Sequence, residues 1–361
     1  MHLGTRSLLT FFQAHRDDES LVLVSITATE GSTYRKPGAM MLISRDNAYE
    51  GMISGGCLES DLLHHAAEVF FSGMPKTVTY DMHAGDELVW GLGLGCDGVI
   101  HLMLQRLDRE DGFSLLEFVQ QSLNSRLPVL LALVTASSQS ELPAGTAGLS
   151  ARGGRTQGND LLVQQCAGYC RAAWPSWRQK LLPRTDHALM LINILPPPRV
   201  LLCGAGPDAV PVAWQVSRLG WECVIADHRQ SFARTERFPA ESRVILCRPE
   251  ALHQHLDTRE VDAAVIMSHH LENDAGYLRQ LTQHRGESAL KYIGVLGPAA
   301  RRDRLKEMAQ CPQQLVYGPV GLDIGAELPE SIALAILAEI HAALNSRDGQ
   351  SLTTGPVGGR G

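Results

Sequence analysis

The sequence predicts an α/β fold in two parts. The first half is a mixed α/β domain that carries two glycine–cysteine loops, Ser54–Glu59 and Gly91–Gly98. The second half alternates short apolar strands with amphipathic helices, which predicts a Rossmann-like, doubly wound parallel sheet. The run 196–198 consists of three prolines and separates the halves.

Length and composition support several domains. A chain of 361 residues exceeds the size that one core usually serves. We expect an N-terminal cofactor-binding domain at 1–195, the Rossmann-like domain at 196–345 and a disordered tail at 346–361, which is rich in Gly, Ser and Thr.

Charge and hydropathy exclude some classes of function. The net charge is −7 and no long basic run occurs, so we expect no nucleic-acid partner. No apolar run reaches about 18 residues, the length that suggests a membrane span. With no evident signal peptide and eight cysteines in a long chain, we expect a cytoplasmic protein without a disulfide scaffold.

The elements of the first half follow from hydrophobic periodicity. Residues 59–71 have helical spacing and begin directly at the first glycine–cysteine loop. A second helix is predicted at 115–124, and 136–160 is a polar stretch. The strands are predicted at 21–28, 38–44, 99–104 and 128–135.

The second half shows a regular strand–helix alternation. Its last helix is predicted at about 329–343. The strands are predicted at 199–203, 222–226, 243–247, 263–268 and 292–296.

The first glycine–cysteine loop is the strongest candidate site. Gly55 and Gly56 allow close approach of a ligand to the backbone, and Cys57 adds a soft sulfur. Glu59, the last residue of the loop, is a further candidate cofactor contact. The helix that begins at Glu59 directs free N–H groups and a positive dipole end toward the loop. The second loop repeats the pattern with Gly95 and Cys96. Together they suit an anionic ligand that carries sulfur or a thiophilic metal.

Two cationic residues lie in the polar loop 30–37. Arg35 and Lys36 are candidate phosphate partners, and arginine can bind phosphate in a bidentate manner. A solvated hairpin tip is the alternative for this pair, and a small buried apolar residue is the alternative for Cys57. Cys166 and Cys170 have no second pair of ligands, so we predict no structural metal.

The Rossmann-like half contains a dinucleotide fingerprint. Gly204 and Gly206 follow a strand, and Asp227 ends the next strand roughly 20 residues on, where a ribose-binding carboxylate belongs. Asp208, in the first helical turn, would repel a pyrophosphate, so a Rossmann fold without a bound nicotinamide is an open alternative. His269 follows the strand at 263–268 and is either a ligand contact or an ordinary loop histidine.

The order of several motifs resembles the XdhC/CoxI family, the xanthine dehydrogenase accessory proteins. The resemblance runs from about Val24 to Leu337 and departs from the family at Pro207, where histidine is frequent, and at Asp97, where glycine is frequent. The motifs that carry it lie at 31–41, 54–59, 93–98, 227–239, 292–297 and 318–327.

This resemblance implies a chaperone that binds the molybdenum cofactor, protects it and assists its insertion into an apo molybdenum hydroxylase. It implies that Cys57 contacts the cofactor, including its molybdenum centre. The cofactor, as molybdopterin or its cytosine dinucleotide, offers a dithiolene and a phosphate. Other partners under this hypothesis are a cysteine desulfurase and a cytidylyltransferase, and a homodimer is expected from general frequency.

Two other classes stay open. One is an NAD(P)-dependent oxidoreductase that uses Gly204, Gly206 and Asp227, although no Ser-x-x-x-Tyr-x-x-x-Lys pattern follows the fingerprint. The other is a phosphate-sensing or scaffold protein with an empty nucleotide fold. Because of Asp208, we expect weak or no NAD binding.

Overall fold

The computed structural model describes residues 4–82, 98–170, 179–283 and 290–353. The chain divides into two compact units, Met1–Pro196 and Pro197–Gly361. Within the described ranges, the first unit contains two five-stranded antiparallel sheets and the second contains one five-stranded parallel sheet.

The first sheet has the strand order β3-β2-β1-β5-β4. Helix α2 packs on one face through Leu62, Ala66 and Val69, which share a core with alternate residues of β1 such as Val22 and Val24. The elements are α1 (Thr5–Ala14), β1 (Ser20–Gly31), β2 (Met40–Ile43), β3 (Tyr49–Gly51), α2 (Glu59–Ser72), β4 (Lys76–Asp81) and β5 (Gly98–Asp108).

The second sheet has the strand order β8-β7-β6-β10-β9. Its residues Leu131 and Ile192 share a core with Leu21 and Leu23 of β1, so the two sheets pack together. The elements are α3 (Ser114–Asn124), β6 (Val129–Ser137), β7 (Ala147–Ala151), β8 (Thr156–Gly158), α4 (Asp160–Cys170), β9 (Gln179–Pro183) and β10 (His187–Ile194). The polar stretch 136–160 thus contains two strands that its composition does not indicate.

Strand register brings two loops and Gly98 to one end of the first sheet. β2 begins opposite Ser25, and residues 32–39, which we call the Arg35 loop, fold back along β1 to reach it, with the N–H of Gly38 donating to the carbonyl of Ile26. β3 ends opposite the start of β2, so the first glycine–cysteine loop leaves the same end. β5 begins with Gly98, the last residue of the second loop, paired to Gly31, so Gly98 lies at that end as well.

The second unit is a doubly wound parallel sheet with the strand order β13-β12-β11-β14-β15. One face packs against α7 and α8, and the other packs against α5 and α9. The elements are β11 (Arg199–Cys203), α5 (Ala209–Arg218), β12 (Glu222–Asp227), β13 (Arg243–Leu246), α6 (Leu252–His255), β14 (Ala263–Ile266), α7 (Leu271–Gln283), β15 (Tyr292–Val295), α8 (Ala299–Met308) and α9 (Pro329–Leu344). The predicted fold class is confirmed.

Candidate functional site

The first glycine–cysteine loop joins β3 to α2 and places a thiol at the surface. Gly56 has φ of +108°, a conformation that favours glycine. A Cβ atom at Gly55 or Gly56 would meet no atom within 4 Å, so the space beside the backbone is open. Cys57 is exposed, which excludes its interpretation as a small buried apolar residue.

The hydroxyl of Ser54 organises this loop from within. Its Oγ accepts hydrogen bonds from the N–H groups of Gly56, Cys57 and Leu58, at 3.2, 3.0 and 3.0 Å. The same hydroxyl donates to Oε2 of Glu59 at 2.5 Å. Three successive backbone donors therefore converge on one side-chain oxygen.

Glu59 is the internal anion of the loop. Its side chain is buried, Oε1 accepts from the N–H of Ser54 at 2.9 Å, and Oε2 accepts from the N–H of Leu58 at 3.2 Å. Burial raises the pKa of this carboxyl, but hydrogen bonds from Ser54 and from the backbone outweigh it and leave the pKa below its ordinary value. The N–H groups expected to face a ligand are thus largely engaged by the chain itself.

The Arg35 loop supplies two cationic side chains at the same end of the sheet. Thr33 Oγ1 donates to the carbonyl of Arg35 at 2.9 Å, and Lys36 Nζ donates to Thr33 Oγ1 at 3.5 Å. Arg35 is half-buried and Lys36 is exposed. Among the described residues, no carboxylate pairs with either cation.

The second glycine–cysteine loop is described only at its last residue. Gly95 and Cys96 lie outside the described residues. A Cβ atom at Gly98 would lie 2.5 Å from the carbonyl oxygen of Glu30 and 2.8 Å from that of Ser32. Glycine is therefore required where this loop re-enters the sheet beside the start of the Arg35 loop.

The two glycines of the fingerprint in the second unit differ in the space around the position of a Cβ atom. Gly204 has φ of +131°, and a Cβ atom there would lie 2.6 Å from the carbonyl carbon of Met267. Gly206 has no atom within 4 Å of the corresponding position. The first glycine lets β11 and β14 approach closely, and the second leaves room for a ligand.

Asp227 is fully buried and its carboxylate is already saturated with donors. It accepts from the N–H of Ala205 at 2.7 Å and from Arg229 through its N–H, Nε and Nη2, at 2.8, 2.9 and 2.7 Å. Burial raises its pKa, but these donors outweigh it and hold the pKa below its ordinary value. In this arrangement neither oxygen is free for a ribose hydroxyl.

His269 pairs with Asp208 at the same edge of the parallel sheet. Its Nε2 lies 3.0 Å from Asp208 Oδ2, and both side chains are partly exposed. His269 has φ of +62°, which is uncommon outside glycine. The pair connects the start of α5 to the segment after β14, so Asp208 does not cap its own helix.

Comparison with known proteins decides the family. The model of the XdhC and CoxI family matches residues 14–81, and the XdhC Rossmann domain matches residues 200–340. The chain is 33% identical over 326 residues to a Bacillus subtilis protein named as a probable xanthine dehydrogenase subunit, covering 90% of this chain and 93% of that protein. The chain belongs to the XdhC and CoxI family.

Two further comparisons agree with this assignment. A crystal structure described as a xanthine dehydrogenase from Bacillus halodurans matches this XdhC/CoxI protein with a TM-score of 0.76 and 29% identity, covering 98% of each chain. The molybdenum cofactor insertion chaperone PaoD of Escherichia coli is 33% identical over 104 residues, which are 28% of this chain and 31% of PaoD.

The other cysteines of this XdhC/CoxI chain do not form a site in the part that the structure describes. The seven described cysteines are free thiols, and no group of three or more His, Cys, Asp or Glu side chains there could hold a metal ion. Cys166 is buried, and desolvation raises its pKa to about 12. No described helix is long and apolar enough to cross a membrane.

Two residues that shape these sites in the XdhC/CoxI chain are absent from the sequence-based predictions. Ser54 stands five residues before Glu59, and Arg229 stands two residues after Asp227. Each side chain bonds to a carboxylate that the sequence offers as a ligand contact. The closeness of a serine or an arginine in the sequence could have indicated that each carboxylate forms hydrogen bonds within the chain.

Proposed function

We propose that this protein binds the molybdenum cofactor, protects it and assists its insertion into an apo molybdenum hydroxylase of the xanthine dehydrogenase or aldehyde oxidase type. The observation that carries the proposal is the likeness over 90% of the chain to a protein named as part of a xanthine dehydrogenase. The shorter likeness to a molybdenum cofactor insertion chaperone supports the proposed role in cofactor insertion.

The residues of the first unit fit such a ligand. Cys57 offers an exposed soft donor, beside two glycines that leave open space. Arg35 and Lys36 offer positive charge at the same end of the sheet and have no described carboxylate partner. A ligand with a sulfur- and metal-bearing end and a phosphate end matches this distribution of donors.

In this proposal, different residues bind different parts of the cofactor. When bound, the cofactor supplies a dithiolene-held molybdenum centre that the client hydroxylase uses. Cys57 contacts this soft end, and Gly55 and Gly56 allow the backbone to approach it closely. Arg35 and Lys36 hold the phosphate. Gly95 and Cys96 are proposed to complete the site from the second loop.

Fluorescence of the extracted pterin tests the proposal. Protein purified from cells that make molybdenum cofactor is denatured and oxidised, and the extract is examined for pterin fluorescence and for molybdenum. We expect both in near-stoichiometric amounts. An extract without pterin, from cells whose hydroxylases are active, would exclude cofactor carriage.

The second unit favours an accessory role over an oxidoreductase. Asp227 is occupied by Arg229 and Ala205, and Asp208 places a negative charge at the start of α5, where a pyrophosphate would bind. We therefore expect weak or no NAD(H) binding, although Gly206 leaves space. Tight, stoichiometric NAD(H) binding in a calorimetric titration would favour the oxidoreductase instead.

The remaining details of the proposal concern partners and form. We propose a cytoplasmic homodimer that meets the apo hydroxylase transiently, with a cysteine desulfurase and a cytidylyltransferase as upstream partners. The cofactor is molybdopterin or its cytosine dinucleotide. Mass spectrometry of the extracted cofactor distinguishes the two forms, because only the dinucleotide contains a cytidine nucleotide.

A further inference from the structure

The first glycine–cysteine loop contains its own anion. Ser54 and Glu59 are 6% and 5% exposed, and their side chains lie beneath the loop. Their oxygens accept the backbone N–H groups of Ile53, Ser54, Gly56, Cys57 and Leu58. Converging N–H groups at the start of a helix usually form a binding site for an external anion. Here the chain's own hydroxyl and carboxylate fill that position.

This arrangement disfavours a phosphate at the loop. A phosphate would have to displace the Ser54 hydroxyl from three donors and approach the buried carboxylate of Glu59, which has the same sign of charge. On its outer side, the loop offers the exposed thiol of Cys57. A neutral or soft group meets no such penalty.

The Arg35 loop has the opposite character. Arg35 is half-buried and has no described carboxylate partner, and the next residue, Lys36, is exposed. Strand register brings this loop to the same end of the sheet as Cys57. One end of the sheet therefore presents a soft donor on one loop and positive charge on another.

We propose that Ser54 and Glu59 are positioning residues that orient the cofactor. They hold the loop so that it excludes phosphate and presents Cys57 to the sulfur- and metal-bearing end, while Arg35 binds the phosphate end. This inference rests on the proposed function and specifies the orientation in which the cofactor binds. It also makes Glu59 a support of the loop rather than a cofactor contact.

Amide NMR of the full chain with inorganic phosphate tests the orientation without the cofactor. We expect phosphate to shift the amide signals of residues 33–36 and 38, since Pro37 has no N–H, and to leave those of residues 54–58 unchanged. Arg35→Ala should weaken this binding by roughly tenfold, because a charge-assisted hydrogen bond is lost. Phosphate-dependent shifts at residues 54–58 of the wild type, or none at residues 33–38, would overturn the proposal.

Hydrogen exchange tests the positioning residues. Ser54→Ala should accelerate amide exchange at Gly56 and Cys57 by at least about tenfold, because the acceptor of both N–H groups is removed. Exchange at Leu58 should change less, because its N–H also donates to Glu59 Oε2. Ser54→Thr keeps the hydroxyl and should restore slow exchange. Glu68→Gln, an exposed change farther along α2, is the charge control. Fast exchange of these amides in the wild type would contradict the proposal even if Ser54→Ala failed to fold.

Cofactor retention separates this inference from the proposed function. If the orientation is correct, Ser54→Ala and Glu59→Gln retain several-fold less cofactor than Glu68→Gln, and Ser54→Thr retains more than Ser54→Ala. If Cys57→Ala retains as much cofactor as the wild type, the contact between Cys57 and the cofactor, on which the proposed function depends, does not exist. If Cys57→Ala loses the cofactor while Ser54→Ala and Glu59→Gln keep it fully, only the positioning role is wrong.

Discussion

At the scale of single residues, two buried carboxylates accept hydrogen bonds from the protein itself. Glu59 accepts hydrogen bonds within the first glycine–cysteine loop, and Asp227 accepts them from Ala205 of the fingerprint turn and from Arg229. Such saturation stabilises a charge that burial alone would make costly. In our proposal the cofactor is bound by other groups, namely the thiol of Cys57 and the cations of the Arg35 loop.

Substitution of Cys57 tests the central contact. Cys57→Ala should leave the free energy of unfolding within about 0.5 kcal/mol of the wild type, because the side chain is exposed. It should lose most of the bound cofactor, measured as pterin and molybdenum per chain. Cys57→Ser should retain more than Cys57→Ala only if the thiol acts by hydrogen bonding. Equal retention in all three proteins would exclude the contact.

At the scale of elements, the two glycines of the fingerprint turn should differ in how well they tolerate a side chain. Gly204→Ala should destabilise the protein by about 2–4 kcal/mol, because its Cβ would lie 2.6 Å from the backbone of Met267 and φ is +131°. Gly206→Ala meets open space and should cost about 1 kcal/mol or less. Urea unfolding of both variants measures the difference. Similar losses would contradict the role given to the close approach of β11 and β14.

The connection of β11 to β12 through Asp227 predicts a dependence of stability on pH. The pKa of this carboxyl is lower in the folded chain than in the unfolded chain, so its contribution is complete above the unfolded pKa of about 3.9 and is lost as pH falls through the folded pKa. Asp227→Asn should unfold more easily by about 2–3 kcal/mol at pH 7. The difference between variant and wild type should shrink in acid, which denaturant titrations at several pH values would detect.

The sequence predicts elements best where their periodicity is strong. The five strands of the parallel sheet are buried apolar runs, and the structure has all five, although β14 ends at Ile266 rather than Ser268. β7 and β8 are short and partly polar, and β8 (Thr156–Gly158) is exposed along its length, so they carry no such signal. For the candidate site, the role of Cys57 stays a prediction from the local sequence, and the structure shows only that this residue is exposed. The hydrogen bond between Ser54 and Glu59 depends on the conformation of the folded loop.

At the scale of the whole molecule, each unit has its own core and its own loop-bearing edge. The residues that we propose to bind the cofactor lie on the first unit, where the Arg35 loop and the first glycine–cysteine loop leave one end of a sheet. The fingerprint turn of the second unit has its ribose carboxylate occupied by Arg229. A carrier requires tight holding and later release, and neither step needs the acid–base residues of an enzyme.

Transfer to a client distinguishes a carrier from an enzyme at this scale. Protein loaded with cofactor should activate an apo molybdenum hydroxylase from the same cell, because release at the encounter moves the cofactor to the partner that binds it more tightly. The measurement is hydroxylase activity and molybdenum content of the client after incubation with loaded protein, unloaded protein or the Cys57→Ala variant. Only the loaded wild type should raise both, and it should be recovered intact and ready for a second loading. A client that is produced without this protein and already holds a full, active cofactor complement would show that insertion does not depend on it.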